Sequence, residues 1–326
     1  MKWSETLKKK LVSGTTTEFD SARIRESAYR PFCKQFLYYD SLAIDRPAAF
    51  ADIFPTPKRQ QQNVVICSPS VGARARYWCF SANAVPNLNL VSIDATQCFP
   101  FYTYAEDGTN RRENITDWAL DQFRSHYHDP SITKWDIFHY IYAVLHHPEY
   151  RERYAANLRR ELPRIPLAPV SSVPPVVKDS DVFRQLVKAG QRLVEIHVRY
   201  EQQPEYQLTK REKAGEKLNW RVTRMRLSKD KATLIYNDFL TLSEIPKEAY
   251  DYRLGNRSAL EWVIDQYQVS TDKRSGITND PNREDDPQYI VRLIGQIITV
   301  SLETVRIVKE LPALRIPEAA GGDHVS

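Results

Sequence analysis

A chain of 326 residues, 42% of them hydrophobic, can bury one large core or two ordinary ones, which excludes a disordered protein. It has no apolar run of about 18 residues, and the opening MKWSETLKKK is charged, so neither a membrane span nor a secretory signal is expected; the protein is read as soluble and cytoplasmic. The net charge of +5 argues little for a polyanionic partner, but the distribution of that charge argues more.

Residues 1–22 are read as a tail or helix, followed by a β-rich module over 23–110. Short runs rich in Tyr, Phe, Val and Ile (FLYYD, NVVICS, RYWCF, LNLVSI, FPFYTY) are separated by Pro, Asn, Ser and Gly, the punctuation of strands and turns. Ile53 to Ile93 contains no Asp or Glu, yet holds Lys58, Arg59, Arg74 and Arg76. Gln60, Gln61, Gln62 and Asn63 follow the first two bases. Arg pairs bidentately with guanine, and Gln or Asn with adenine, so a loop of this composition can read base edges, or it is a polar loop that touches nothing.

After Gly108 the apolar period becomes 3.6. Trp118 and Phe123 fall on one short helix, and Trp135, Phe138, Tyr142 and Leu145 on the next, which Thr133 and Asp136 open as a capping box. Prolines 163, 166, 169, 174 and 175 then end helical character, making 161–180 a connection and 111–180 a helical layer with its Pro-rich link. A helix over Asp181–Tyr200 begins the last segment, 181–326. WRVTRMRLSKDKATLIY follows as a hairpin, with Val222 and Met225 near one apolar face and an arginine-rich polar face. Lys210 to Lys231 carries a local excess of six positive charges, either a phosphate-attracting stripe or a solvated face. Helices over Ser258–Tyr267 and Pro287–Leu311 complete an α+β chain, joined by a polar loop with Lys273 and Arg274.

The enzyme signatures sought are missing. There is neither a G-x-x-x-x-G-K-[ST] loop nor a G-x-G-x-x-G turn. Asn279-Asp280-Pro281-Asn282 lacks the second proline and the stacking aromatic of an amino-methyltransferase motif, so a flipped base would have no platform. Cys33, Cys67, Cys79 and Cys98 form no C-x-x-C pair. His126 and His128, two apart, and His139 and His146, seven apart, do not match the three- or four-residue spacing of helical zinc ligands, so they are read as satisfied or solvent-facing. Glu284, Asp285 and Asp286 suit a loop or helix start, with no lysine in D/E-x-K order. No catalytic residue, metal site or cofactor is expected in this chain.

Tyr29-Arg30-Pro31-Phe32 followed by Leu37-Tyr38-Tyr39-Asp40 resembles the segment that opens the target-recognition region of Type ISP restriction-modification enzymes. A longer stretch, Asp251-Tyr252-Arg253-Leu254-Gly255-Asn256-Arg257-Ser258-Ala259-Leu260-Glu261-Trp262 through Tyr267, then Ser275 to Asn282, resembles their C-terminal specificity domain. Asp136 to His146, ending in Pro163-Arg164-Ile165-Pro166, also fits. The resemblance implies double-stranded DNA as partner. It also implies that cleavage, ATP hydrolysis and adenine-N6 methylation, with ATP, Mg²⁺ and S-adenosylmethionine, are supplied by methyltransferase and helicase-nuclease segments outside this chain, in cis or in trans. The expected function is therefore a DNA-binding target-recognition domain, not an enzyme on its own; a protein-protein adaptor docking a methyltransferase or helicase subunit is the alternative. Candidate DNA contacts are Lys58, Arg59, Gln60, Gln61, Asn63, Arg74, Arg76, Arg221, Arg224, Arg226, Lys229, Lys273 and Arg274.

Overall fold

The structure, a computed structural model, describes residues 5–40, 42–44, 50–167, 179–273 and 275–314. Pro169, Pro174, Pro175 and Arg274 thus lie outside the described residues. The architecture is α+β, with several small sheets and helices packed around one hydrophobic cluster that runs from Ala28 to Leu314. Among the described residues no helix is long and apolar enough to cross a membrane.

Strands Ile24–Arg30 and Cys33–Tyr38 form an antiparallel hairpin in which Arg30 faces Cys33, leaving Pro31-Phe32 as the turn. Proline first and a positive φ second is a type II pattern, which normally takes glycine in the second place. Phe32 sits there instead, at φ 58, because its ring is fully buried against Phe80, Tyr200 and Tyr252. Core packing offsets a backbone cost of about 1–2 kcal/mol. The central strand of the next sheet, Val65–Pro69, is buried at every position between Phe80–Ala82 and Thr96–Pro100. That pairing sets Cys67 opposite Cys98, their sulfurs 3.8 Å apart, a juxtaposition hidden by a 31-residue separation.

Two runs read as strands are not regular. Arg76–Cys79 and Leu88–Ile93 run as loop and bends, although Trp78, Cys79, Leu90 and Val91 are buried. Their apolar character reports burial, not ladder pairing. Lys58–Gln62, read as a loop, is the body of a short helix, Pro57–Gln62, capped by the Thr56 hydroxyl with Pro57 in its first turn.

The helical layer follows its sequence signals. Asp117–Tyr127 buries Phe123 and Tyr127 but leaves Trp118 exposed, and Lys134–His146 starts with the Thr133/Asp136 capping box. Helix Asp179–Val198 turns Phe183, Leu186, Val187, Leu193 and Val194 inward, the i, i+3, i+4 spacing of a core-facing stripe. It packs against Lys134–His146 so closely at Gly190 that a Cβ there would lie 1.8 Å from the His139 carbonyl oxygen. Near the end of the chain, Gly255 (φ +65) and Asn256 turn a two-residue hairpin, and Ser258 with Glu261 makes a capping box on helix Ala259–Gln266. That helix aims Trp262 inward, where its Nε1 donates to the Leu254 carbonyl oxygen, and Tyr289–Lys309 packs across it.

Candidate nucleic-acid interface

The basic segment lies in a four-stranded antiparallel sheet ordered Arg226–Leu227, Thr233–Ile235, Leu240–Ser243, Thr209–Glu212. Both edge strands are basic, through Arg226 on one side and Lys210 and Arg211 on the other. Charged edges resist pairing with another chain and suit an exposed, charged surface.

Between these edges, the run Trp220–Met225 has no strand ladder and is held by side chains. Tyr236 Oη donates to the Trp220 carbonyl (3.0 Å), and Asn237 Nδ2 donates to the carbonyls of Asn219 (2.6 Å) and Arg221 (3.0 Å). Asn282 Oδ1 accepts from the Val222 amide and its Nδ2 donates to the Val222 carbonyl, each at 2.8 Å. The Val269 amide adds a bond to the Thr223 carbonyl (3.1 Å), tying in the hairpin Ser270–Thr271/Thr278–Asn279. With Val222 and Met225 buried as anchors, Arg221, Arg224, Arg226 and Lys229 face solvent.

Arg221 pairs with Asp280, whose carboxyl is held below its usual range chiefly by Asn282, with Arg221 adding to it. Among the described residues no ion pair engages Lys210, Arg211, Lys217, Arg224, Arg226 or Lys229. Lys210 instead stands over the Trp220 ring at 5.8 Å. A groove of about 780 Å³ opens here between Lys217–Arg221, Phe239 and the loop carrying Asp280, Asn282 and Arg283. Asn219, Trp220 and Arg283 are groove residues not singled out from sequence. Arg283 follows directly on Asn282, but only the fold sets that loop against residues 219–222.

The first-half candidates divide. Asn63 is fully buried: its Nδ2 donates to the carbonyls of Ile53 and Tyr102, and its Oδ1 accepts from the amides of Val64 and Tyr102. Gln60 is also buried, donating to the Glu26 carbonyl. Both side chains are enclosed inside the protein and have no reach to a base edge. Arg59 is half-buried, its Nε donating to the Gly108 carbonyl (3.0 Å) and its guanidinium lying over Tyr104. Lys58 and Gln61 are exposed on the same short helix. Arg74 is exposed beside Asp94, Arg76 opens on a different cavity, and Lys273 is exposed in the second hairpin.

Packing accounts for His139 and His197. Burial lowers His139 to about 4 and His197 to about 3, so both are neutral at physiological pH. His197 sits between Tyr142 Oη (2.7 Å) and Thr304 Oγ1 (2.9 Å). His128 is the left-handed cap of helix Asp117–Tyr127, and Asp286, placed ahead of helix Tyr289–Lys309, pairs with Arg292. Among the described residues no group of three or more His, Cys, Asp or Glu is arranged to hold a metal ion.

The family model of the Type ISP C-terminal specificity domain matches residues 1–293. The chain is also similar to three solved structures. A nuclease-deletion mutant of the Type ISP restriction-modification enzyme LlaGI in complex with a DNA substrate mimic superposes with a TM-score of 0.80 at 33% identity, covering 97% of this chain and 27% of that one. The ATP-dependent Type ISP restriction-modification enzyme LlaBIII bound to DNA gives a TM-score of 0.84 at 30% identity, with 97% and 20% covered. A DrdV-DNA complex gives 0.83 at 33% identity, with 97% and 31% covered. This chain therefore spans less than a third of the length of each. No curated protein matches it.

Proposed function

This chain belongs to the Type ISP C-terminal specificity domain family, and from that membership we propose that it reads duplex DNA through the basic face built on residues 210–231 and the 269–283 segment. The observation that carries this reading is the row of outward cations, Arg224, Arg226 and Lys229, that no carboxylate neutralises among the described residues, beside the groove clamped by Asn282. Fixed, unneutralised cations release counterions from the phosphate backbone and set the register of the protein on the duplex. Base discrimination then falls to a few of the exposed side chains, with Arg221 and Arg224 suited to guanine edges and Gln61 to adenine. Lys58, Arg74, Arg76 and Lys273 supply further positive charge. The solved relatives in complexes with DNA support the same assignment.

In this proposal the domain selects the site, and cleavage, ATP hydrolysis and methyl transfer are carried out by methyltransferase and helicase-nuclease segments joined to it or acting beside it. The test is fluorescence anisotropy with labelled duplexes over a salt series. The expected result is binding that weakens steeply between about 50 and 200 mM salt. No association by folded protein in dilute buffer refutes the proposal; a stable complex with a methyltransferase subunit in that case favours an adaptor.

A further inference from the structure

We infer that a second cavity, of about 310 Å³ and separate from the basic groove, is a binding site for a small phosphate-class oxyanion. Its walls come from the loop after strand Val65–Pro69, helix Pro148–Arg153, the Asp251–Gly255 turn and the end of helix Tyr289–Lys309. Four cations line it, Arg76, Arg151, Arg253 and Lys309, against one carboxylate, Asp251. Arg253 is partly committed to Glu261 at 3.9 Å, whereas no ion pair engages Arg76, Arg151 or Lys309 among the described residues. A volume near the lower end of ordinary ligand pockets suits a small ligand better than a nucleotide.

Arg151 is the centre of this arrangement. Its Nε donates to the Leu145 carbonyl (2.5 Å) and its Nη2 to the Cys79 sulfur (3.2 Å), which fixes the guanidinium while leaving three of its five N–H groups to other partners. The guanidinium also lies over the Tyr77 ring at 5.7 Å. Its positive charge is felt at Tyr77, Cys79, His146, His197 and Tyr252, all buried or nearly so.

Two hydroxyls make a second, independent argument. Tyr77 Oη and Tyr252 Oη are buried without a hydrogen-bond partner among the described residues, and both tyrosines line this cavity. Tyr252 is only 6% exposed, its ring held flat on His197 at 4.9 Å. Buried hydroxyls nearly always find a partner. A tetrahedral oxyanion accepts hydrogen bonds from guanidinium and phenol groups at once and offsets the surplus positive charge.

Isothermal titration calorimetry of the full chain with inorganic phosphate, at constant ionic strength, tests this. Saturable one-site binding is expected, weakened about tenfold or more in Arg151→Met and in Arg76→Gln, and weakened also in Tyr252→Phe, which removes only the hydroxyl. Lys188→Gln, exposed and outside the lining of the cavity, is expected to bind phosphate as the parent does. If Arg151→Met fails to fold, Arg76→Gln and Tyr252→Phe decide the matter. Absence of saturable binding by the folded parent protein, or equal binding by the parent, Arg76→Gln and Tyr252→Phe, overturns the inference. Where a saturating duplex abolishes phosphate binding, the site takes a backbone phosphodiester; where both bind together, it takes a free anion. The phosphate titration needs no DNA, so its outcome is independent of the reading of the basic face.

Discussion

The side chain of Asn282 pairs with the backbone of Val222 as a neighbouring strand would, accepting from its amide and donating to its carbonyl at 2.8 Å each. A loop residue 60 positions away thus supplies the hydrogen bonds that an irregular basic run lacks. Asn282→Ala is expected to destabilise the protein by about 1–3 kcal/mol, since it leaves two backbone groups of a buried residue unmet. It is also expected to weaken duplex binding more than a single lost charge does, because Arg221 and Arg224 lose their fixed positions. Urea unfolding and anisotropy on the same sample check both; unchanged stability would show that the clamp contributes nothing.

Arg224, Arg226 and Lys229 are exposed, and no carboxylate neutralises them among the described residues, so their replacement should leave stability within about 0.5 kcal/mol while changing DNA affinity. Each residue that contacts a phosphate carries a slope of about 0.9 in log affinity against log salt. The double variant Arg224→Gln with Arg226→Gln is expected to flatten that slope by nearly 2, uniformly across sequences if both contact phosphates only. A slope equal to the parent's would remove these two residues from the interface.

Much of this arrangement was legible in the sequence where the signal is local. The Thr133/Asp136 box, the Gly255-Asn256 turn, the Ser258 cap and the apolar period of Asp179–Val198 all depend on residues within one or two turns of each other, and each is found where its pattern puts it. The candidate site was less legible. Gln60 and Asn63 have the side chains of base readers, but their amides are used by carbonyls and amides that only the tertiary fold brings close, such as Tyr102 and Glu26. Asn282 gives the opposite case: the motif around it fails as an amino-methyltransferase signature, while its function in the fold is a strand-like clamp. Composition identifies which chemistry is available, whereas the partner that consumes or frees it is set by contacts distant in sequence.

At Gly190 two effects of opposite sign compete. Alanine raises intrinsic helix propensity by about 1 kcal/mol in a helix interior. Here, however, the added Cβ would stand 1.8 Å from the His139 carbonyl oxygen, a backbone atom of the facing helix that cannot swing aside. Overpacking of this kind costs about 1–3 kcal/mol or more, and the clash wins. Gly190→Ala should therefore lower the denaturation midpoint, with the loss centred on the packing of Asp179–Val198 against Lys134–His146. A variant as stable as the parent would mean that the two helices separate without cost.

His197 should make the protein acid-sensitive, and its tautomer follows from its neighbours. Thr304 Oγ1 donates to the Val300 carbonyl (2.7 Å), so toward His197 it can only accept, and Nε2 must carry the proton. Nδ1 then accepts from Tyr142 Oη, and the ring is complete as a neutral group. Burial, reinforced by the positive charge of Arg151, lowers its pKa from 6.5 to about 3. Between those values the unfolded chain binds a proton that the folded chain refuses, so stability rises with pH across the window and is lost as pH falls from 6.5 toward 3. Above 6.5 the contribution is constant. His197→Phe should lower stability at neutral pH, where it takes away the acceptor of Tyr142 Oη, yet make the dependence between pH 4 and 6.5 less steep, leaving the part that belongs to His139. Urea midpoints of parent and variant across that range decide the point, and parallel curves would show that His197 is not a proton-linked group.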